Sequence, residues 1–294
     1  MVKDNTVGSR LFDIFLIVIL VGIALLCILP IWYTLAVSLS DNAAASSGRV
    51  GLWPVGFNFS SYKEIMGDRK FFNSFWISIQ RVVLGSGLNF VIILLMAYPL
   101  SKGAKELPFR NVLMWILVFT MLFNGGLIPW YMTLKSLGLI NNIWALVLGS
   151  SVPVFSVILV INFFRNLPKE LEEAALVDGA GPWRMMIQIF VPLAGPVIAT
   201  VTLFSIVYHW NEFFNGLVLM STADHYPLQT YIQQMVVVID ANTMTAEQIQ
   251  RMSELSNRTL NSAKIFIAMI PVLLVYPFLQ RFFITGITLG SVKE

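Results

Sequence analysis

The chain has 294 residues, 57% of them hydrophobic and only 12% charged, with a mean hydropathy of +0.76. That is too little polar surface to cover a water-soluble globule of this size, so the composition is that of a polytopic membrane protein. A formal charge of +3 gives no ground for nucleic-acid binding, and a lone cysteine, Cys27, excludes an intramolecular disulfide.

A bilayer core of about 30 Å needs roughly 20 apolar residues per helix. Six stretches meet that length, at about Phe12 to Val37, Phe72 to Leu100, Asn111 to Thr133, Asn142 to Phe164, Ile189 to Met220 and Ser262 to Phe283. They are uninterrupted and lack strand-like alternation, so helices are expected, not a barrel. The first carries Pro30 and no small-residue cleavage pattern at its end, so it reads as a retained span. The expected fold class is all-α, with residues 12–284 as a single six-helix domain between an N-terminal segment 1–11 and a tail 285–294.

An even number of spans puts both termini on one side. Lys3, Arg10, Lys102, Lys105, Arg110, Arg165, Lys169, Arg184, Arg281 and Lys293 fall in short segments on that side. The remaining basic residues are spread through longer loops opposite, so the termini are expected in the cytoplasm.

Between the first two spans, the external segment 38–71 contains Leu52-Trp53-Pro54-Val55-Gly56-Phe57 and Tyr62. Such aromatic content predicts a folded cap at the membrane surface. In the second external segment, 221–261, Tyr226-Pro227-Leu228-Gln229 opens an expected amphipathic helix from Thr230 to Asp240. A further short helix is expected over Ala241 to Asn257.

The cytoplasmic segment 165–188 is a polar island. Pro168 suits a first helical turn, and Glu170, Glu172 and Glu173 place negative charge at the positive end of the helix dipole. A helix to Asp178 puts Leu171, Ala174, Ala175 and Asp178 on one face, and Gly179 takes a left-handed cap. Gly181-Pro182 then restarts a turn carrying Trp183, Arg184, Met185 and Met186. This is either a docking element for a soluble partner or an amphipathic connection lying on the headgroups.

Inside the spans, Arg81 and Glu212 are costly at depth, about 3 kcal/mol each on insertion scales, so each must face a partner or water. Ser205, Tyr208, His209, Glu212, Asn215 and Gly216 form a polar stripe at helical spacing. Asn89 and Asn124 are further pathway candidates, with Trp130 and Tyr131 as aromatic faces for sugar rings. Interhelical hydrogen bonding is the alternative role for all of these polar groups. His209 and Glu212 lack the additional ligands a metal site requires, so none is expected.

Glu173-Ala174-Ala175, three residues, Gly179, then nine residues and Ile189-Phe190-Val191-Pro192 together resemble the EAA loop of bacterial binding-protein-dependent ABC importer permeases. Val191 stands where that family usually has Leu. Leu52-Trp53-Pro54, Leu139-Ile140-Asn141-Asn142, Trp210-Asn211-Glu212-Phe213 and the ending Gly286-Ile287-Thr288-Leu289-Gly290-Ser291-Val292-Lys293 resemble its carbohydrate-uptake branch, of the six-span maltose-importer type. The resemblance implies a type I ABC importer permease fold in the inner membrane, with an EAA coupling helix. It also implies a second homologous permease, two ATPase subunits and an external solute-binding protein as partners. ATP and Mg would be held by the ATPase, not by this chain, which has no phosphate-cradling Gly-rich loop and no catalytic residues.

By the same resemblance, Glu172, Glu173, Ala174, Ala175, Asp178, Gly179, Trp183 and Arg184 dock on the ATPase, and Gly290, Val292 and Lys293 reach it from the tail. Asn124-Gly125-Gly126-Leu127-Ile128-Pro129, His209-Trp210-Asn211 and Tyr226-Pro227-Leu228-Gln229 resemble a subgroup serving complex oligosaccharides and polysaccharide fragments, including uronic-acid polymers such as alginate. The competing classes are an ion-coupled secondary sugar transporter using Arg81 and Glu212, and an intramembrane enzyme using His209 and Glu212. The first leaves the polar island without a role and lacks the two related halves common among secondary transporters, and the second has no nucleophile or metal set beside His209 and Glu212.

Overall fold

A computed structural model describes residues 7–236 and 258–291, and all the elements in them are helical. The expected helix from Ala241 to Asn257, the end of the one from Thr230, and the tail positions Val292 and Lys293 lie outside the described residues. Close contacts divide the chain into two units, Met1–Arg69 with Gln234–Met269, and Lys70–Gln233 with Ile270–Glu294.

The first unit contains α1 (Val7–Ser38), α2 (Asn42–Ser46), α3 (Ser60–Gly67) and the start of α15 (Arg258–Ser291). The most apolar window of α1 buries none of its residues, as expected of a helix whose surroundings are lipid tails or another protein. Among the described residues it packs through its last turns, where Ala36 and Val37 meet Ala45 and Val50. The expected folded cap is present. Trp32 Nε1 donates to the Leu52 carbonyl at 2.7 Å, Ser38 Oγ and the Tyr62 hydroxyl lie 2.8 Å apart, and Asp41 caps α2 by accepting from Ala43 N–H. Arg258 donates to the Ala45 carbonyl at 3.1 Å and Lys264 pairs with Asp68 at 2.5 Å, so the start of α15 is fastened to the same cap.

The second unit begins with α4 (Arg69–Ser101), a continuous helix matching the second expected span. The next three expected spans are interrupted. The third is α5 (Arg110–Leu122) and α6 (Leu127–Ser136), bent by 112° across Phe123 to Gly126. There Asn124 Oδ1 accepts from Gly126 N–H at 2.9 Å, and Gly126 adopts φ 88°. The fourth is α7 (Ile143–Leu148) and α8 (Val154–Arg165), parted by a stretch running from Gly149 to Pro153. A side chain at 149 would lie 2.8 Å from the Ala145 carbonyl and 3.1 Å from the Trp130 ring, so the glycine lets that indole approach.

After α9 (Lys169–Val177) and α10 (Pro182–Met185), a π-helical turn (Met186–Phe190) leads into α11 (Val191–Leu193). An 85° bend at Ala194 then opens α12 (Gly195–Asn211). Two non-helical residues, Glu212 and Phe213, separate α12 from α13 (Phe214–Leu219), and α14 (Leu228–Val236) follows. Hydropathy does not register these breaks because the residues at them, Gly, Pro and Asn at the earlier ones and Glu212 at the last, sit within apolar runs.

The main core of this unit joins Ile93, Leu94, Ala97 and Tyr98 of α4, Val157, Val160, Ile161 and Phe164 of α8, Ala175, Met185 and Met186 of the polar island, and Phe190 just after it. A smaller cluster around Leu134, Ala145, Leu146, Leu219 and Met220 holds α6, α7 and α13 together.

Candidate functional site

In lipid, a broken helix leaves backbone groups that must find other partners. At the α12–α13 break those partners are supplied one by one. Arg81 Nη1 donates to the Glu212 carbonyl at 2.7 Å, and Nη2 donates to Glu212 Oε2 at 2.6 Å. The other carboxylate oxygen accepts from Asn215 N–H at 2.7 Å, so Glu212 caps α13 through its side chain. Thr230 Oγ1 donates to the Phe213 carbonyl at 2.8 Å, and Leu228 N–H donates to Ser78 Oγ at 2.8 Å, drawing the start of α14 over the break. Gly216 makes room for this: a Cβ there would collide with Thr230 Oγ1 and lie 3.0 Å from Pro227. Arg81 is 0% exposed, and its charge is met by that of Glu212.

The break also divides the expected polar stripe. Before it, Ser205 and His209 turn toward α4, where Asn89 Nδ2 donates to Ser205 Oγ at 2.8 Å and lies 3.3 Å from His209 Nε2. Gly85 receives the imidazole, since a Cβ there would sit 2.5 Å from Cε1 and Nε2. Asn89 is therefore engaged between helices. Tyr208 faces the other way, and Asn215 begins a new helical phase after the break.

Tyr208 and Asn215 meet Asn124 at an open cavity of about 630 Å³. It is lined by both interrupted segments, with Phe123 to Leu127 on one side and Tyr208, Phe214 and Asn215 on the other, and with Trp130 and Thr133 on α6. Trp130 Nε1 donates to the Gly149 carbonyl at 3.1 Å, which fixes the indole. Amide and hydroxyl groups beside aromatic faces in a volume of this size suit a small organic ligand. Among the described residues no charged side chain lines it. Tyr131, proposed from the sequence as a second sugar-stacking face, packs instead against the cluster around Leu134 and Leu146.

On the polar island, α9 begins one residue after Pro168 and closes at Gly179, where φ is 72°. Gly179 N–H donates to the Leu176 carbonyl at 3.0 Å and Ala180 N–H to the Ala175 carbonyl at 2.9 Å. These are the paired bonds of a Schellman cap, and Ala175 and Ala180 are both buried beneath it. Small residues at 175 and 180 thus bring the helix end down onto α4 and α8.

Outward from that anchor, Glu173, Ala174, Asp178 and Arg184 are exposed, with Val177 at 88% and Trp183 at 65%. Arg184 Nε donates to Gln188 Oε1 at 2.9 Å. Glu172 turns inward and pairs with Lys102. Of the tail positions, Gly290 lies on α15. The sequence does not mark Ser78, and it marks Lys102 only as a topology charge and Thr230 only as a helix start: each is a polar residue whose partner is remote in the chain.

Residues 79–289 match the family described as binding-protein-dependent transport system inner membrane component. The chain is 37% identical to protein LplC of Bacillus subtilis, over 98% of this chain and 97% of that one. It is 36% identical to the polygalacturonan/rhamnogalacturonan transport system permease protein YtcP of the same organism, covering 97% and 99%. The fold superposes with a TM-score of 0.84, at 34% identity and 95% and 98% coverage, on a chain of a bacterial ABC transporter involved in the import of the acidic polysaccharide alginate.

Proposed function

This chain belongs to the family of binding-protein-dependent transport system inner membrane components, and from that premise we propose that it is one permease half of an ABC importer for oligosaccharides or polysaccharide fragments. As a transport subunit it is non-catalytic. In the proposed assembly it pairs with a second, related permease in the bacterial inner membrane and spans it six times with both termini in the cytoplasm. Two ATPase subunits, which carry the ATP and Mg, dock on α9 and α10 through Glu173, Ala174, Asp178, Trp183 and Arg184. A solute-binding protein delivers the saccharide from outside.

The observation that carries the substrate class is the cavity at the two interrupted segments. Irregular backbone at membrane depth is tolerated where it lines a cavity. Here that cavity offers Asn124 and Asn215 amides, the Tyr208 hydroxyl and the Trp130 ring to a polyhydroxylated ligand. Relatives with polygalacturonan and alginate in their names favour an acidic glycan. In this chain, however, Arg81 is committed to Glu212 and the cavity lining is neutral. Selection for acidic substrates therefore falls to the binding protein and the paired permease, while this chain contacts the hydroxyls and ring faces common to neutral and acidic sugars.

The test is a pull-down of the tagged chain in mild detergent, followed by reconstitution in vesicles with what copurifies. Copurification of a second permease and an ATPase, with ATP-dependent uptake stimulated by saccharide-loaded binding protein, is the expected result. Uptake that follows an ion gradient without the ATPase would refute it.

A further inference from the structure

We propose that Lys102 is a positioning residue for energy coupling: it holds the roll of α9 against the end of α4, and so sets which face the coupling loop presents to the ATPase. This rests on the reading that α9 and α10 dock there.

Lys102 follows the last residue of α4, and its ammonium joins three elements. It pairs with Glu172 of α9, lies 4.7 Å from the centre of the Tyr98 ring on α4, and 4.4 Å from that of Phe190 in the π-helical turn leading to α11. The two rings meet edge to face at 5.2 Å, and Phe164 of α8 packs on Phe190 at 5.3 Å in the same manner. The cation is therefore boxed by aromatic faces and closed by a carboxylate, with side-chain exposure of only 13%. Its position at the end of α4 also matches the negative pole of that helix. The adjoining turn is held by Arg110, whose Nε donates to the Leu100 carbonyl at 2.8 Å.

The Schellman cap fixes how α9 ends but leaves its rotation about its own axis to side-chain contacts. On the inner face the buried contact is Ala175, which is too small to resist rolling. Glu172, one turn earlier, supplies the missing restraint through Lys102. Adjacent helical residues differ by about 100°, so fixing Glu172 inward sends Glu173 outward. A movement of α9 is then passed to both α4 and the start of the fifth span through one side chain.

The experiment is a double-mutant cycle in the complete importer reconstituted in vesicles. Its readout is the ratio of ATP hydrolysis with loaded binding protein to hydrolysis without it, a quantity that a purely structural role would leave alone. K102M and E172Q are each expected to lower the ratio by about 5- to 10-fold. The double variant should be no worse than either single one, because both remove the same link. K102R should keep the ratio within about twofold, retaining charge and ring contact. An unchanged ratio in K102M, or losses that simply multiply in the double variant, would overturn the proposal. Should K102M fail to assemble, E172Q decides, because it leaves the boxed ammonium in place and removes only the carboxylate charge. A lowered ratio in assembled E172Q supports the link, and an unchanged ratio overturns it. An unaltered chain that never copurifies with an ATPase would instead strike at the importer reading itself.

Discussion

Gly179 separates conformational strain from contact more cleanly than any other position on the polar island. It sits at φ 72°, and a Cβ built there meets no atom within 4 Å. Gly179→Ala therefore creates no clash, and the whole effect is that of an L-residue in the left-handed region, about 1–2 kcal/mol. Removing a glycine also stiffens the unfolded segment, which offsets about 0.4–1 kcal/mol of that. A net cost of roughly 0–1.6 kcal/mol remains, centred at about 0.8, so the affinity of the ATPase for the permease should fall by about fourfold, and by no more than about 15-fold. Gly179→Val should fall further, and Gly179→Asn should stay near the parent, since Asn visits this region more readily. The control is Gly181→Ala, two residues on, where φ is −70° and the space is equally open; no loss is expected beyond about twofold. Titration of ATPase onto the permease in nanodiscs reads all four variants. Gly179→Ala binding as tightly as the parent, or Gly181→Ala binding as weakly as Gly179→Ala, would refute the reasoning.

Gly85→Ala places a methyl 2.5 Å from the His209 ring and should cost about 1–3 kcal/mol of stability by overpacking; His209→Ala in the same chain should return most of it in a thermal melt. Glu212→Gln strands the buried Arg81 charge, at about 3–5 kcal/mol, and a variant that melts with the parent would show the pair to be dispensable. Tyr208→Ala at the cavity should lower uptake per ATP hydrolysed without changing ATPase copurification, measured with radiolabelled oligosaccharide; full uptake would remove Tyr208 from the pathway. Glu173→Lys, on the exposed side of α9, should leave the melting temperature within a few degrees but abolish stimulated uptake, and normal transport would sink the docking assignment.

The first, second and last spans were legible as long apolar runs, and α1, α4 and α15 cover them, staying helical through Pro30, Pro99, Pro271 and Pro277; α15 continues past the expected end at Phe283 to Ser291, so the start of the expected tail is helical. The island helix was legible to within about a residue, since Pro168 and Gly179 mark its two ends. The interruptions at Asn124 and Glu212 were not, although the residues that make them had been noted as motifs. A Glu in an apolar helix reads as a pathway group, and what it does here depends on Arg81, which is 131 positions away in sequence. The Asn141-Asn142 pair shows the same limit on a smaller scale. Asn141 takes φ 62° and Asn142 caps α7 by accepting from Trp144 N–H at 3.1 Å, a local geometry that the motif carried without revealing it.

The closed end of α9 has a bearing on how this chain can vary in length. One residue inserted between Lys169 and Val177 would advance the helix by about 1.5 Å and turn everything after it by about 100°. Ala175 would then leave the seat it shares with Ala180, and Glu172 would no longer lie under Lys102. No loop between Val177 and Pro182 is long enough to absorb that rotation. The cap between α1 and α4 is different: it is pinned at separate points, with Asp41 N–H donating to the Val55 carbonyl at 2.9 Å and Asn58 N–H to the Leu39 carbonyl at 3.0 Å, and no helix runs from residue 47 to 59 whose phase an insertion would turn. Insertions and deletions should therefore be tolerated in the cap and excluded from the polar island, so that on the proposed reading the spacing of the island is a fixed gauge against which a docked ATPase would be fitted.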